Sequence, residues 1–162
     1  MVEVVRFEPA HAAGMAALIV GIQTREFGIA ITLDDQPDLS DIDGFYRSGA
    51  GNFWVAVDGP RVVGTIALRD IGGGRLALRK MFVDAAYRGA AHGVASKLLA
   101  EALAWAAAHG AREVLLGTTD KFVAAHRFYE KNGFRAIARE ALPAGFPFMA
   151  VDTKFYSLAL RG

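Results

Sequence analysis

Apolar residues along this chain change their period several times, and each change marks an element. Val2 to Phe7 is rich in β-branched residues and predicts a first strand. Pro9 then opens a helical segment in which Met15, Leu18, Ile19 and Ile22 recur at helical spacing. From Gly28 to Leu39 no period is sustained, and Asp34, Asp35, Pro37 and Asp38 mark a loop. Leu39 to Tyr46 predicts a short second helix, capped by Asp38 or Ser40. Asn52 to Asp58 and Arg61 to Asp70 read as two strands of a hairpin turning at Gly59-Pro60. Gly72-Gly73-Gly74 predicts the next hairpin turn, into Arg75 to Asp84. No helix follows these glycines, so they read as a turn and not as a nucleotide cradle.

Helical spacing returns with Ala95, Leu98, Leu99, Ala102, Leu103 and Ala106, a long helix stopped at His109-Gly110. Glu113 to Gly117 is a short buried-type strand. Thr119 or Asp120 can cap a further helix running through Tyr129 and ending at Asn132-Gly133. Phe134 to Ala138 is strand-like, and Phe148 to Leu160 has the composition of one or two more strands, with Pro143 and Pro147 between them. The element order is β-α-α-β-β-β-α-β-α-β-β. No linker, repeat or low-complexity segment divides it, so residues 1–162 are expected to form a single domain. Hairpins in the first half and helical connections in the second predict an α/β fold of the mixed α+β kind. It would have a central mixed sheet of about six or seven strands flanked by about four helices.

Composition narrows the chemistry. Hydrophobic residues make up 53% of the 162, enough for a real core. Eighteen basic residues balance seventeen acidic ones to a net charge of +1, which offers no electrostatic case for nucleic acid or an anionic membrane. Cysteine is absent, which removes disulfides, thiol catalysis and Cys-zinc sites. None of the four histidines stands at ligand spacing from another, so no metal site is expected. The apolar run from Ala12 to Ile22 is too short to span a bilayer, and Glu3, Arg6 and Glu8 interrupt any signal-peptide pattern. A cytoplasmic protein is the expectation.

Chemistry concentrates between Leu78 and Leu99. An apolar strand runs into Tyr87-Arg88-Gly89 and the Gly/Ala loop before the long helix. Backbone N–H groups left over at a helix N-terminus, together with the helix dipole, suit a pyrophosphate. Downstream lies Ala125-His126-Arg127-Phe128-Tyr129-Glu130-Lys131-Asn132-Gly133-Phe134. With these two segments and its element order, the chain resembles the GCN5-related N-acetyltransferases (GNAT).

The resemblance implies acetyl-CoA as acetyl donor and an amine of a small molecule or peptide as acceptor. It also implies that the pantetheine arm lies between two splayed parallel strands, Met81–Val83 and Val114–Gly117. Met81, Phe82 and Val83 would flank the arm, the backbone of Met81 and Val83 pairing with its amides, and an N–H near Val83 would stabilise the oxyanion. Amides from His92 through Gly93, Val94 and Ala95 to Ser96 would hold the pyrophosphate, beside Arg88 and Gly89. Tyr129 matches the family tyrosine that protonates the departing thiolate, though it also reads as a core aromatic.

Three departures from the family pattern stand out. Aligning Gly93-Val94-Ala95 on the end of the family loop puts Ala90 where an arginine belongs, leaving Arg88 as either a phosphate contact or a surface residue. Phe122 stands where many relatives carry an asparagine. Arg79 and Lys80 occupy the region where relatives often place a glutamate base, so the base falls to Glu26, to Asp70 or to a water chain. Glu26, Asp34, Asp35 and Asp38 could attract a cationic amine or serve only as caps and loop solvation. Phe146, Phe148 and Phe155 could wall the acceptor or simply pack the sheet. Two functions stay open: an acetyl-CoA-dependent N-acetyltransferase, or a non-catalytic acyl-CoA-binding module of the same fold. A homodimer is possible through the C-terminal strand.

Overall fold

Alternate residues of a strand face opposite ways, and here both faces are covered. In β2 (Asn52–Asp58), Phe53 and Val55 join one core cluster while Trp54 and Ala56 join another, and all four are buried. The computed structural model describes residues 1–89, 91–149 and 151–160. Around β2 stand β1 (Val2–Arg6), β3 (Arg61–Asp70), β4 (Arg75–Val83), β5 (Glu113–Thr118), β6 (Arg135–Ile137) and β7 (Lys154–Ala159). They form one seven-stranded sheet in the order β1-β2-β3-β4-β5-β7-β6, antiparallel except where β4 meets β5. Helices α1 (Ala12–Gly21) and α2 (Ile42–Tyr46) cover one face, with Met15, Ile19, Ile42 and Tyr46 buried. Helices α3 (Val94–Ala108) and α4 (Val123–Lys131) cover the other, through Leu98, Leu99, Ala102 and Tyr129. The mixed sheet with four α-helices agrees with the fold expected from the sequence.

Differences are local. The second helix begins at Ile42 and not at Leu39, because Asp41 is the cap: its Oδ1 accepts the Gly44 N–H at 3.0 Å. Asp38 lies in a preceding 3-10 turn (Pro37–Ser40) and turns into the core. Neither Thr119 nor Asp120 caps α4, whose N-cap is Phe122 without a side-chain bond. Asp120 instead donates its N–H to the Thr153 hydroxyl at 3.1 Å. Phe148 to Leu160 yields one strand, within the one or two expected, and Met149 and Asp152 are tied just before it: Asp152 N–H donates to Met149 O at 3.0 Å, and Met149 N–H to Asp152 Oδ2 at 2.9 Å. Helix α1 continues into a π-helical turn, Ile22–Glu26, that buries Gln23. Among the described residues no helix is long and apolar enough to cross a membrane.

The sheet's irregularity lies where β4 leaves β5. They pair only at Arg75–Glu113, Leu76–Val114 and Ala77–Leu115. Beyond Ala77 the strands diverge. On its other edge, β4 pairs Phe82 with Thr65 and Arg79 with Ala67, so Lys80 and Met81 together oppose Ile66. This is a β-bulge, and Lys80 sits in it at φ 55°. A bulge increases local twist, which helps carry β4 away from its parallel neighbour.

Candidate active site

A cavity of about 580 Å³ occupies the wedge between the diverging strands. Its walls include Leu78 to Val83 of β4, Leu116 to Thr118 of β5, and Phe128 and Tyr129 of α4. The unpaired edges of β4 and β5 leave backbone groups open to a strand-like arm, the mode in which an extended ligand adds to a sheet. Met81, Phe82 and Val83 line the cavity.

At one end the cavity reaches the start of α3 through Arg88, Gly89, Gly93, Ala95 and Ser96. Gly93, the helix N-cap, adopts φ 64°, a left-handed conformation that favours glycine. The N–H groups of His92 and Gly93 are already spent on Gly89 O, each at 3.2 Å, and Lys97 N–H reaches Gly93 O. Among the described residues no backbone acceptor serves the N–H groups of Ala95 and Ser96, the orphans of a helix start. Those two amides are left available to an anion. Val94 is buried in the core, and the exposed His92 packs its ring against Tyr87 and lies outside the cavity. The alignment position at Ala90 lies outside the described residues.

Arg88 and Glu26 are engaged with one another. Both Glu26 oxygens accept from the Arg88 guanidinium, one at 2.8 Å, and Arg88 Nε donates to Val83 O at 2.8 Å. The pair ties the end of the π-helical turn to the β4–α3 loop. Glu26 does not line the cavity. A carboxylate whose two oxygens are held by a guanidinium is poorly placed to take a proton, and that guanidinium is correspondingly less available to phosphate. Asp70 accepts from Ala50 N–H and Gly72 N–H in a turn and also lies off the cavity.

Tyr129 is 5% exposed and borders the cavity, and among the described residues its hydroxyl has no hydrogen-bond partner. Burial pushes its phenol above the ordinary tyrosine value, so it stays protonated across the physiological range. Phe122 fills the asparagine position by packing edge-on against Phe27, centroids 4.6 Å apart. His126 Nε2 contacts Thr119 O at 2.9 Å, a local tie in the loop before α4.

Opposite α3 the cavity wall is polar and largely buried. Lys80 Nζ donates to Gln36 Oε1 at 2.6 Å and lies 3.7 Å from Asp38 Oδ2. Gln36 and Gln23 exchange two side-chain bonds, at 2.9 and 3.0 Å. Tyr46 donates to Asp38 Oδ2 at 2.5 Å, and Arg79 Nε donates to Tyr46 Oη at 3.2 Å. Burial pulls the Lys80 ammonium down from 10.5 to about 8, with Asp38 opposing the shift. Asp38 therefore serves internal cations, while Asp34 and Asp35 stay exposed, Asp35 binding Thr32 N–H.

Across the wedge, Asp152 borders the cavity too. Burial pushes its carboxyl above the usual aspartate value, opposed by the Met149 N–H and by the Arg79 and Arg139 charges. Of the three phenylalanines considered as an acceptor wall, Phe146 lines the cavity, whereas Phe155 is buried behind it and Phe148 faces out. Sequence reading missed Gln23, Gln36 and Asp152. They lie far apart in the chain with no shared motif, so no local signal links them.

The acetyltransferase (GNAT) family model matches residues 19–134. A crystal structure of a GNAT-family acetyltransferase from Staphylococcus aureus Mu50 is 37% identical, covering 99% of this chain and 100% of that one with a TM-score of 0.94. An acetyltransferase from Streptococcus agalactiae 2603 is 32% identical over 98% of each chain, with a TM-score of 0.93. N-acetylaspartate synthetase of Xenopus tropicalis is 34% identical over 125 residues, 75% of this chain. The chain spans only 45% of that curated relative. With the matched residues including the β4–α3 loop and the Tyr129 helix, this chain belongs to the GNAT acetyltransferase family.

Proposed function

We propose that this protein transfers the acetyl group of acetyl-CoA to a primary amine. The observation that carries the reading is the wedge itself: two parallel strands that part after three paired positions, with Tyr129 at its wall and orphan helix amides at its end. Family membership supports acetyl-CoA as donor, and the N-acetylaspartate synthetase relative supports nitrogen as the acceptor atom.

The residues present fit that donor. Free edges on β4 and β5 suit the pantetheine amides, and the N–H groups of Ala95 and Ser96 suit the pyrophosphate. Bound there, the donor supplies an activated thioester carbonyl. The amine lone pair forms the C–N bond, and the C–S bond breaks with its electron pair leaving on sulfur. Tyr129 supplies the proton to that sulfur and is reprotonated from the nitrogen, so one proton per ammonium consumed passes to solvent. A β4 amide near Val83 stabilises the carbonyl oxygen as it gains charge. Arg88 and Glu26 act as a tie that holds the loop against the π-helical turn.

Replacing Tyr129 with Phe tests this. The expected result is a kcat lower by about 100-fold or more, with CoA affinity measured by calorimetry unchanged. An undiminished kcat assigns Tyr129 to packing. Tight CoA binding without turnover on any amine, in the unaltered protein, favours a non-catalytic acyl-CoA-binding module.

A further inference from the structure

Cations outnumber anions on the acceptor side of the wedge. Arg79, Lys80 and Arg139 face Asp38 and Asp152 there. Lys80 is fully engaged with Gln36 and Asp38, and its side chain is 3% exposed. Arg139 lies over the Phe148 ring, 4.2 Å from its centroid. Arg79 differs from both. Its Nε is held by Tyr46, but its terminal nitrogens meet only weak partners: Met149 Sδ at 3.9 Å and Asp38 Oδ2 at 3.9 Å. The guanidinium is thus fixed in direction by Tyr46, with Phe45 beneath it at 5.4 Å, and Arg79 lines the cavity. A planar two-donor edge is the geometry that binds a carboxylate bidentately.

Register places Asp152 on the facing wall. The last paired residues of the parallel strands are Ala77 and Leu115, so Arg79 and Gly117 each stand two positions beyond the fork. Asp152 lies directly against Gly117, where a Cβ would come 2.6 Å from its Oδ2. The absence of a side chain at Gly117 is what admits the carboxylate to the wedge. Its Oδ2 is bonded to Met149 N–H, and no cation lies within salt-bridge distance of it among the described residues. An anion-binding edge on β4 and a carboxylate with no cation partner beside β5 therefore confront one another across the cleft.

We propose that the acceptor is a carboxylate-bearing amine, an amino-acid-like zwitterion. Arg79 binds its carboxylate, and Asp152 receives its ammonium at the fork. Asp152 takes one ammonium proton and releases it to solvent, leaving the neutral amine whose lone pair attacks. This assignment rests on the acetyl-transfer reading but names residues and a substrate class that reading does not require.

The test uses matched triads of acceptors: α-amino acids, their carboxamides, and the same amines lacking the carboxylate. At saturating acetyl-CoA, kcat/KM for the best amino acid should exceed that of its amide and decarboxylated amine by at least about tenfold. Arg79→Gln should collapse that ratio to within about twofold, mainly through KM. Arg79→Lys, which keeps the charge and loses the fork, should retain only part of it. Asp152→Asn, which can still accept the Met149 N–H, should lower kcat and remove the acidic limb of the pH profile. Unchanged CoA affinity and melting temperature show that the variants are folded. Equal or better turnover of the decarboxylated amines, or a ratio that survives Arg79→Gln, overturns the proposal. If no amine turns over, calorimetric binding of the same triads to the CoA-loaded protein decides. Carboxylate-selective binding lost in Arg79→Gln upholds the acceptor site while counting against acetyl transfer, and absence of such binding sinks the acceptor site as well.

Discussion

Single residues in this protein owe their chemistry to burial more than to identity. Lys80 is an ordinary lysine in sequence, yet desolvation lowers its ammonium to about 8 despite a carboxylate 3.7 Å away. Because the folded value lies below the unfolded one, the unfolded chain binds more protons between pH 8 and 10.5. The Lys80 contribution to stability therefore rises with pH across that window. Denaturant titrations at pH 8, 9 and 10 should show stability increasing relative to Lys80→Met, by on the order of 2 kcal/mol in total. A difference between the two proteins that is flat with pH contradicts the assignment. Glu26 and Arg88 illustrate the complementary effect. In the sequence Arg88 reads as a phosphate contact or a surface residue and Glu26 as one candidate base, and the fold brings the two into contact across 62 positions.

Elements set the spacing on which the site depends. Helix α3 packs close to β3 because Gly64 carries no side chain: a Cβ there would lie 2.9 Å from Leu98 Cδ1 and 3.3 Å from Ala56 Cβ. Gly64→Ala should overpack this contact and cost about 1–3 kcal/mol, read by chemical denaturation. It should also weaken CoA binding, because α3 carries the orphan amides at its start. A neutral substitution would show that the helix has slack. The hydrophobic period made α3, β2 and β3 legible, since helices and strands buried along one stripe or on two faces display that burial locally. The α2 cap and the missing cap of α4 were not legible. Each depends on whether an Asp or Thr finds a better partner elsewhere, as Asp120 does with Thr153.

The whole molecule is a sheet held together on one side of a fork and opened on the other. Any ligand that bridges β4, β5 and the start of α3 adds contacts absent from the unfolded chain, so it must stabilise the fold. CoA at about 100 times its Kd should raise stability by about 2.7 kcal/mol, visible as a higher melting temperature. An unchanged melt at that ratio would show that CoA does not bind the native state selectively with that Kd.

By itself the sequence determined the element order, the mixed sheet, the Gly/Ala loop before α3 and the place of the tyrosine on α4. Those features rest on local periodicity, on glycines at turns and on motifs contained within a few consecutive residues. Tertiary structure alone decided the polar end of the wedge. Gln23, Gln36, Asp38, Tyr46, Arg79, Lys80 and Asp152 come from the first helix, the loop, α2, β4 and the C-terminal turn. What each does is set by desolvation and by partners that chain folding brings within a few ångströms, and no spacing along the chain encodes either.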